Sequence, residues 1–559
     1  MSGFFSEHEQ RKDECVYTKF VSLLYTHTTV NQLIGLSRTD ARAAADDGSF
    51  PVSFAKQRVH FIGIGGSGMS GLANVLIDAG AIVSGSDSKD SGVTRRLAMR
   101  GAIITTLQDG SGIPAQTRLV VRTAAVKDDN AEFRAAVSRG LVVVKYAQLL
   151  GRVMADRLGI AVAGTHGKST TTAMLALAMV KCGLEPSFVV GGEVPQLGGG
   201  SQSGRGPGFV VEACEYDRSF HSLRPTVAIL NNIEADHLDC YGTLEAVIES
   251  FAHFAGLIPA HGLLIVRDDD ANIAKAIQGA ACPIETFGQS ESATWRITDV
   301  RELPGNRIGA TIVHNGAALL TLSPGVAGLH NVYNATAALA AAVHAGADAH
   351  HAADALAMFS GVDRRMTEMG HLANVDDAPL VVDDYGHHPT EVRVTLRALR
   401  EKYKPSKLVC VFQPHQYSRT RLLLDEFAGA FVDADEVIAS DIYAVRDSPQ
   451  ERAMCSAQEL VRRINGFDSS SRARHIATFD EIDEFLKQQS LGGDLSKTLI
   501  VTMGAGNIHE LAASLVRSAT SPMQSARRLN AGKITAAPDA VQNTGLTRSG
   551  PNPNGTRSK

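Results

Sequence analysis

The chain has 559 residues, 44% hydrophobic and 20% charged, with 54 Lys+Arg against 59 Asp+Glu and a formal net charge of −5. That composition excludes a disordered chain and a coiled coil, and the charge balance argues against a dedicated nucleic-acid binder. Seven widely spaced cysteines without a C-x-x-C pair exclude a disulfide scaffold and fit a reducing cytosol.

Residues 1–56 are weakly patterned and read as an extension of unassigned role. Their first fifteen positions include Glu7, Glu9, Arg11, Lys12, Asp13 and Glu14, which interrupt any signal-peptide core. No apolar run reaches the ~20 residues that span a bilayer. The chain is therefore expected to be soluble and cytoplasmic, without membrane insertion.

From Arg58 a strand–loop–helix rhythm begins. Strands are predicted at Val59–Ile64, Ala81–Ser84, Leu119–Arg122 and Leu141–Val144, with a helix over Gly71–Ala79. A second block opens at Leu158–Ala163 and continues with strands Phe209–Glu212, Val227–Leu230 and Leu263–Val266. Short runs at Trp295–Ile297, Arg307–Val313 and Ala318–Leu322, split by Pro304-Gly305 and Asn315-Gly316, predict a small antiparallel β insertion. An Ala-rich helix follows over Asn334–His344. A third block carries strands Leu380–Val382, Lys407–Phe412, Glu436–Ala439 and Thr498–Thr502. Strands alternating with helices imply parallel sheets covered on both faces, an α/β architecture. Residues 517–559 carry +6, are rich in Ser, Pro, Asn, Gly and Thr, and are expected to be a disordered basic tail. The rest of the chain then carries −11.

Four constellations carry chemistry. Gly63-Ile-Gly65-Gly66-Ser67-Gly68 fits G-x-G-x-x-G between a strand and a helix, with Asp87 nineteen residues beyond Gly68 at the end of the next strand. Such a turn lets the backbone approach a diphosphate, and the acidic group commonly meets a ribose hydroxyl. A nicotinamide dinucleotide is one reading, but the motif itself reads only a diphosphate.

Gly164-Thr165-His166-Gly167-Lys168-Ser169-Thr170 follows the strand ending at Ala163. Its N–H groups can cradle phosphates, Lys168 can reach the β/γ oxygens, and Ser169 can ligate Mg²⁺. Val162 occupies the position of the usual first glycine. Glu212 closes one strand, and Asn231-Asn-Ile-Glu-Ala-Asp-His237 follows another. Both should converge beside the phosphate loop, because ligands gather at the carboxyl ends of parallel strands. Glu212 and His237 can then complete the ligation of metal around ATP.

The fourth constellation pairs Asp383-Asp-Tyr385-Gly-His387-His-Pro389 with Phe412-Gln-Pro-His415-Gln-Tyr-Ser-Arg419, read as two adjacent strand-end loops. Arg419 suits a carboxylate, and His387 and His415 can orient or deprotonate an amine. A zinc site is the rival reading, but no H-x-x-x-H spacing appears.

With His330-Asn331-Val-Tyr-Asn334 and Gly361-Val-Asp-Arg364-Arg365, these motifs make the chain resemble the ATP-dependent Mur ligases, in particular the alanine-adding branch. The resemblance spans about residues 57–510. It implies a Rossmann-like domain binding a UDP substrate (57–150), a P-loop ATPase domain (151–365) and a Rossmann-like domain binding an amino acid (366–516). It reassigns the first glycine turn, Gly63 to Met69 with Asp87, to the diphosphate of UDP-N-acetylmuramate. It implies that Asn331, Asn334 and Arg364 join the phosphate loop around ATP, and that Arg365 contacts phosphate or the muramyl carboxylate. It further implies that Tyr385, His387, His415 and Arg419 surround L-alanine. Ser169, Glu212 and His237 would hold Mg²⁺, two ions in all, and the chain would be a monomer or weak homodimer. Three positions depart from the branch: Gln416 for Arg, Ser169 for Thr and Cys214 for Asp. The first implies the loss of one contact to amino acid or phosphate.

Two rival functions remain at this level. A nicotinamide-dependent dehydrogenase would leave the Gly164 loop idle, and a non-catalytic nucleotide-binding regulator would leave the His387, His415 and Arg419 cluster idle. A sister murein-peptide ligase is the nearest alternative.

Overall fold

The computed structural model describes residues 54–123, 125–372, 379–468, 471–492 and 497–519. Nearly all of the expected extension (1–56) and tail (517–559) therefore lies outside the described residues. Phe54, within the expected extension, is buried in the first core.

Three sheets organise the chain. The first holds β1 (Arg58–Ile62), β2 (Ile82–Ser86), β3 (Ile103–Thr105), β4 (Leu119–Arg122) and β5 (Val142–Lys145). Its order is β3-β2-β1-β4-β5, with every pairing parallel. The order reverses between β1 and β4, and the crevice at such a switch point is where doubly wound sheets take ligands. The turn after β1 leads into helix α1 (Ser67–Asp78), which starts four residues before the predicted helix. Small residues in its first turn bring that turn close to its neighbours.

The second sheet contains β6 (Leu158–Ala163), β7 (Ser187–Val189), β8 (Ser201–Gln202), β9 (Gly208–Glu212), β10 (Val227–Leu230), β11 (Leu263–Arg267), β12 (Ile284–Gly288), β13 (Trp295–Leu303), β14 (Arg307–His314) and β15 (Ala317–Leu322). Its order is β15-β14-β13-β12-β11-β10-β6-β9-β7-β8. The predicted antiparallel insertion is present as β13–β15, but it is not a separate sheet. β12 pairs parallel with β13 through Phe287 and Trp295, so the meander extends the central sheet. Helices α2 (Lys168–Lys181) and α3 (Leu329–His344) pack on each other through small residues, with Ala173, Ala176, Ala338 and Ala341 all fully buried. Alanines let the two helices sit close without leaving a void.

The third sheet contains β16 (Thr367–His371), β17 (Leu380–Asp384), β18 (Lys407–Phe412), β19 (Glu436–Ala439), β20 (Ala473–His475) and β21 (Thr498–Met503), in the order β16-β17-β21-β18-β19-β20. Here one expectation is corrected. The loops after β17 and β18 do not leave adjacent strands, because the last strand, β21, inserts between them and pairs parallel with both. The turn after β21, Gly504 to Gly506, therefore fills the space between the two histidine loops.

No helix among the described residues is long and apolar enough to cross a membrane. The six described cysteines are all free thiols.

Candidate active site

The central phosphate loop is built by its glycines. Gly164 sits at φ +141° and Gly167 at φ +78°. A Cβ on Gly167 would lie 2.7 Å from Asn334 Oδ1, so this position must be bare. Helix α2 then begins at Lys168, directing its free N–H groups at the loop. The neighbouring β10 loop braces it. His166 N–H donates to Asn232 Oδ1 (2.7 Å), Thr165 N–H donates to the Asn232 carbonyl (3.0 Å), and Glu234 N–H donates to Thr165 Oγ1 (2.8 Å).

Lys168 folds back on this cradle. Its Nζ donates to the carbonyls of Gly164 (2.6 Å) and Thr165 (2.9 Å) and to Glu215 (3.0 Å). Burial works against its charge, but the Glu215 carboxylate outweighs burial and keeps the ammonium protonated well beyond its ordinary range. Glu215 also faces His237, with Nε2 at 3.4 Å. Burial opposes its ionisation, and Lys168 and His237 together hold it below the ordinary carboxylate value. From sequence, Glu215 is one of the strand-end carboxylates expected to converge beside the phosphate loop, with no role assigned to it.

Because β10, β6 and β9 are neighbours, Glu212, the Gly164 loop and His237 reach one region, as expected. Glu212 accepts from Gly191 N–H at 2.9 Å. His237 sits at φ +53° on the N-cap of a short helix, and its Nδ1 is buried without a hydrogen-bond partner. Ser169, Glu212 and His237 line one cavity of about 1160 Å³ together with Lys168 and Glu215.

That cavity runs between all three sheets. From the first it receives Gly65, Ser67 and Arg96, and from the third Tyr385 and His387. Arg364 and Arg365, at the junction of the second and third sheets, line it as well. An adjoining cavity of about 310 Å³ is lined by Gly63, Gly66, Ser67, Gly68, Met69 and Tyr146, with Glu212 on its wall. Asp87 has a structural part in the first glycine turn. Its Oδ2 accepts from Gly65 N–H at 2.8 Å, so it shapes the glycine turn, and it lines neither cavity.

A third cavity, of about 150 Å³, lies on the other flank of the loop. His166, Gly167 and Thr170 meet Asn331, Asn334 and Tyr333 there, so the two asparagines stand beside the phosphate loop. Asn334 Nδ2 donates to Asn331 Oδ1 (3.1 Å), and Asn331 Nδ2 donates to the Ala327 carbonyl (2.6 Å). Arg365 lines both this cavity and the large one, and its guanidinium faces the Tyr385 ring at 5.0 Å. Arg364 lies in the large cavity's wall but not in this one. It is pinned by Asp383 (3.1 Å) and by the carbonyls of Gly504 (2.7 Å) and Gly506 (3.2 Å).

The histidine loops divide. His387 is in the large cavity, its Nδ1 3.1 Å from the Tyr385 carbonyl. Burial pulls its pKa down to about 3, so the imidazole is neutral and a weak base. His415 lies behind it, with ring centroids 6.1 Å apart, stacked on Tyr443 and outside the large cavity. Burial, then Arg419 and Arg446, lower its pKa to about 4. Arg419 does not present a free guanidinium. Nε and Nη2 both reach Asp236 Oδ1, at 3.0 and 2.9 Å, and both side chains are about 95% buried. Nη1 donates to His415 Nδ1 at 3.2 Å. Gln416, the departure noted above, is buried at φ +75° with its Oε1 unpartnered.

Three family models match the chain in series: Mur ligase family, catalytic domain (residues 58–158), Mur ligase middle domain (162–342), and Mur ligase, glutamate ligase domain (364–506). The UDP-N-acetylmuramate–L-alanine ligase of Caldanaerobacter subterraneus subsp. tengcongensis is 38% identical over 456 residues, covering 81% of this chain and 96% of that one. The same-named protein of Acetivibrio thermocellus is 39% identical over 459 residues, covering 81% and 94%. Among solved structures, UDP-N-acetylmuramate-alanine ligase MurC from Thermotoga maritima aligns with TM-score 0.68 at 27% identity, covering 83% of this chain and 99% of that one. A murein peptide ligase from Psychrobacter arcticus aligns with TM-score 0.63 at 26% identity, covering 83% and 98%.

Proposed function

The chain belongs to the Mur ligase family, and on that premise we propose that it joins L-alanine to the lactyl carboxylate of UDP-N-acetylmuramate at the expense of ATP. The observation that carries the reading is the large cavity. It brings the Lys168 loop, the first glycine turn and the His387 loop into one space, one element for each of three substrates. The reaction is an early step of peptidoglycan synthesis, taking place in the cytoplasm on a monomer or weak homodimer.

Adenosine occupies the cavity of Asn331 and Asn334, and the phosphates lie on Gly164 to Thr170. The lactyl carboxylate attacks the γ-phosphorus in line. The bond to the bridging oxygen breaks, ADP leaves, and an acyl phosphate remains. Lys168 must exchange the carbonyls of Gly164 and Thr165 for phosphate oxygens. Glu215 stays beside it and keeps it charged. Arg365, exposed to both cavities, reaches the γ-phosphoryl or the carboxylate. The donor set of Ser169, Glu212 and His237 fits Mg²⁺, since hydroxyl and carboxylate oxygens flank the loop and His237 Nδ1 has no other partner. When bound there, Mg²⁺ neutralises charge on the phosphoryl oxygens.

The neutral alanine amine then attacks the acyl carbon, and phosphate departs from the tetrahedral intermediate, carrying away the nitrogen's surplus proton as hydrogen phosphate. Tyr385 and His387 line the space it enters. With a pKa near 3, His387 orients the amine rather than removing its proton. Arg419, engaged by Asp236, holds the domains together, and it meets the alanine carboxylate only by sharing its charge. Closure between the second and third sheets keeps water from the acyl phosphate.

The test is phosphate release with ATP, Mg²⁺ and UDP-N-acetylmuramate, comparing L-alanine with glycine, L-serine and the murein tripeptide. Release that depends on L-alanine supports the reading. Release that depends on tripeptide instead would make the chain a murein-peptide ligase, and tight NADH binding without ATP turnover would sink both.

A further inference from the structure

His166 of the phosphate loop, Glu234 of the β10 loop and His388 at the start of helix α4 (Pro389–Tyr403) meet where the second and third sheets face each other, each offering one donor atom within 4.8 Å of the others. None of the three belongs to the Mg²⁺ set above. We infer that this cluster is a second, distinct metal site, taking a borderline transition cation, Zn²⁺, between the ATP-binding and C-terminal domains.

The ring nitrogens carry the argument. A histidine that ligates a metal commonly gives its other nitrogen to a carboxylate or carbonyl, which fixes the tautomer. Both histidines here are arranged that way. His388 Nε2 faces the Ala235 carbonyl at 3.3 Å and donates to it, so Nδ1 carries the lone pair, and Nδ1 lies 3.8 Å from Glu234 Oε2. His166 Nδ1 faces Glu391 Oε1 at 3.4 Å, leaving Nε2 toward Glu234 Oε2 at 3.6 Å. That distance is too long for a hydrogen bond, and His166 Nε2 is buried with no hydrogen-bond partner at all.

The separations suit a cation rather than a direct contact. Donors about 2.0–2.1 Å from a tetrahedral ion stand roughly 3.4 Å apart, so the carboxylate oxygen needs to draw in by a few tenths of an ångström, and the two ring nitrogens, within 4.8 Å of each other, must close on the ion as well. Thr390 supplies the competing contacts. Its Oγ1 donates to Glu234 Oε2 (2.6 Å), which a ligating carboxylate tolerates, and its N–H reaches His388 Nδ1 at a long 3.3 Å, which must yield. Two imidazoles and one carboxylate favour Zn²⁺ over Mg²⁺, whose preferred ligands are oxygens. One ligand comes from the C-terminal domain and two from the central one, so a bound ion would staple the closed arrangement. The site rests on these residues alone and stands whichever amino acid the enzyme adds.

The full chain, stripped with a chelator and held in excess Mg²⁺, is titrated with Zn²⁺ against a chromophoric chelator, and with Co²⁺ for ligand-field absorption. One equivalent that Mg²⁺ does not displace is expected, with affinity about 10–100-fold weaker in His388→Gln and in Glu234→Gln. Unchanged affinity in both variants, or complete displacement by Mg²⁺, would overturn the site. Should the variants fold poorly, carbethoxylation of the wild-type chain decides: Zn²⁺ must protect His388 in the peptide map, and equal labelling with and without Zn²⁺ refutes the proposal.

Discussion

Arg419 and Asp236, 183 residues apart in the chain, form a buried ion pair that ties the C-terminal domain to the central one. Arg419 directs two nitrogens at one carboxylate oxygen, and Asp236 is held ionised far below its usual range by that guanidinium against the opposing effect of burial. The same loop that presents His237 to the large cavity is thus clamped to the loop that carries His415.

Asp236→Asn should expose the strength of that clamp. The amide keeps the shape but leaves a buried arginine without its counter-charge, a loss of about 3–5 kcal/mol in comparable buried pairs. Urea denaturation is expected to show a lowered midpoint, together with reduced phosphate release. An unchanged midpoint would mean that the pair contributes nothing to domain association.

Lys168→Ala removes the cation of the phosphate loop and strands Glu215. Phosphate release should fall by at least about a hundredfold, the scale for losing a donor aimed at developing charge. Near-normal turnover would remove Lys168 from the mechanism.

Gly167→Ala tests the loop's backbone. The position has φ +78°, and its Cβ would meet Asn334 Oδ1 at 2.7 Å, so strain of about 1–3 kcal/mol is expected. ATP binding by calorimetry should weaken about tenfold or more, with the affinity for UDP-N-acetylmuramate little altered.

With no metal bound, a proton held by His166 between Glu234 and, across the domain joint, Glu391 sets a pH window. Burial opposes the charge of His166, yet Glu234 and Glu391 raise its pKa from 6.5 to about 9. Its contribution is complete below 6.5 and lost as pH rises through about 9. Burial opposes the charge of Glu234 as well, but His166 lowers its pKa from 4.5 to about 2. That contribution is complete above 4.5 and lost as pH falls through about 2. Contact between the domains should therefore be firmest between about pH 4.5 and 6.5. With the intrinsic rise of amide exchange with pH divided out, protection in 388–395 should fall above that window, and protection constant to pH 10 would contradict the assignment.

The local elements were readable. Strands Leu119–Arg122, Leu158–Ala163, Val227–Leu230, Lys407–Phe412 and Glu436–Ala439 appear with the predicted ends, because each is an apolar run bounded by turn residues. Strands Ile103–Thr105, Ile284–Gly288, Thr367–His371 and Ala473–His475 were missed, being short, edge-ward or mixed in polarity. Helices α1 and α3 begin four and five residues before their predicted starts, since Ser67-Gly68 and His330-Asn331 do not announce a helix by periodicity.

The sequence by itself determined the phosphate loop, the glycine turn and the presence of strand-end carboxylates and histidines. Those features depend on backbone freedom and on residues within a few positions of one another, so spacing reveals them. Only the tertiary structure decided who partners whom. It gave Arg419 to Asp236, Asp87 to the N–H of Gly65, and Lys168 to Glu215. It also set β21 between β17 and β18, and brought His166 to His388. These pairings join groups far apart in the chain, and for the buried ion pairs of Arg419 and Lys168 a missing partner would leave an uncompensated charge at low dielectric.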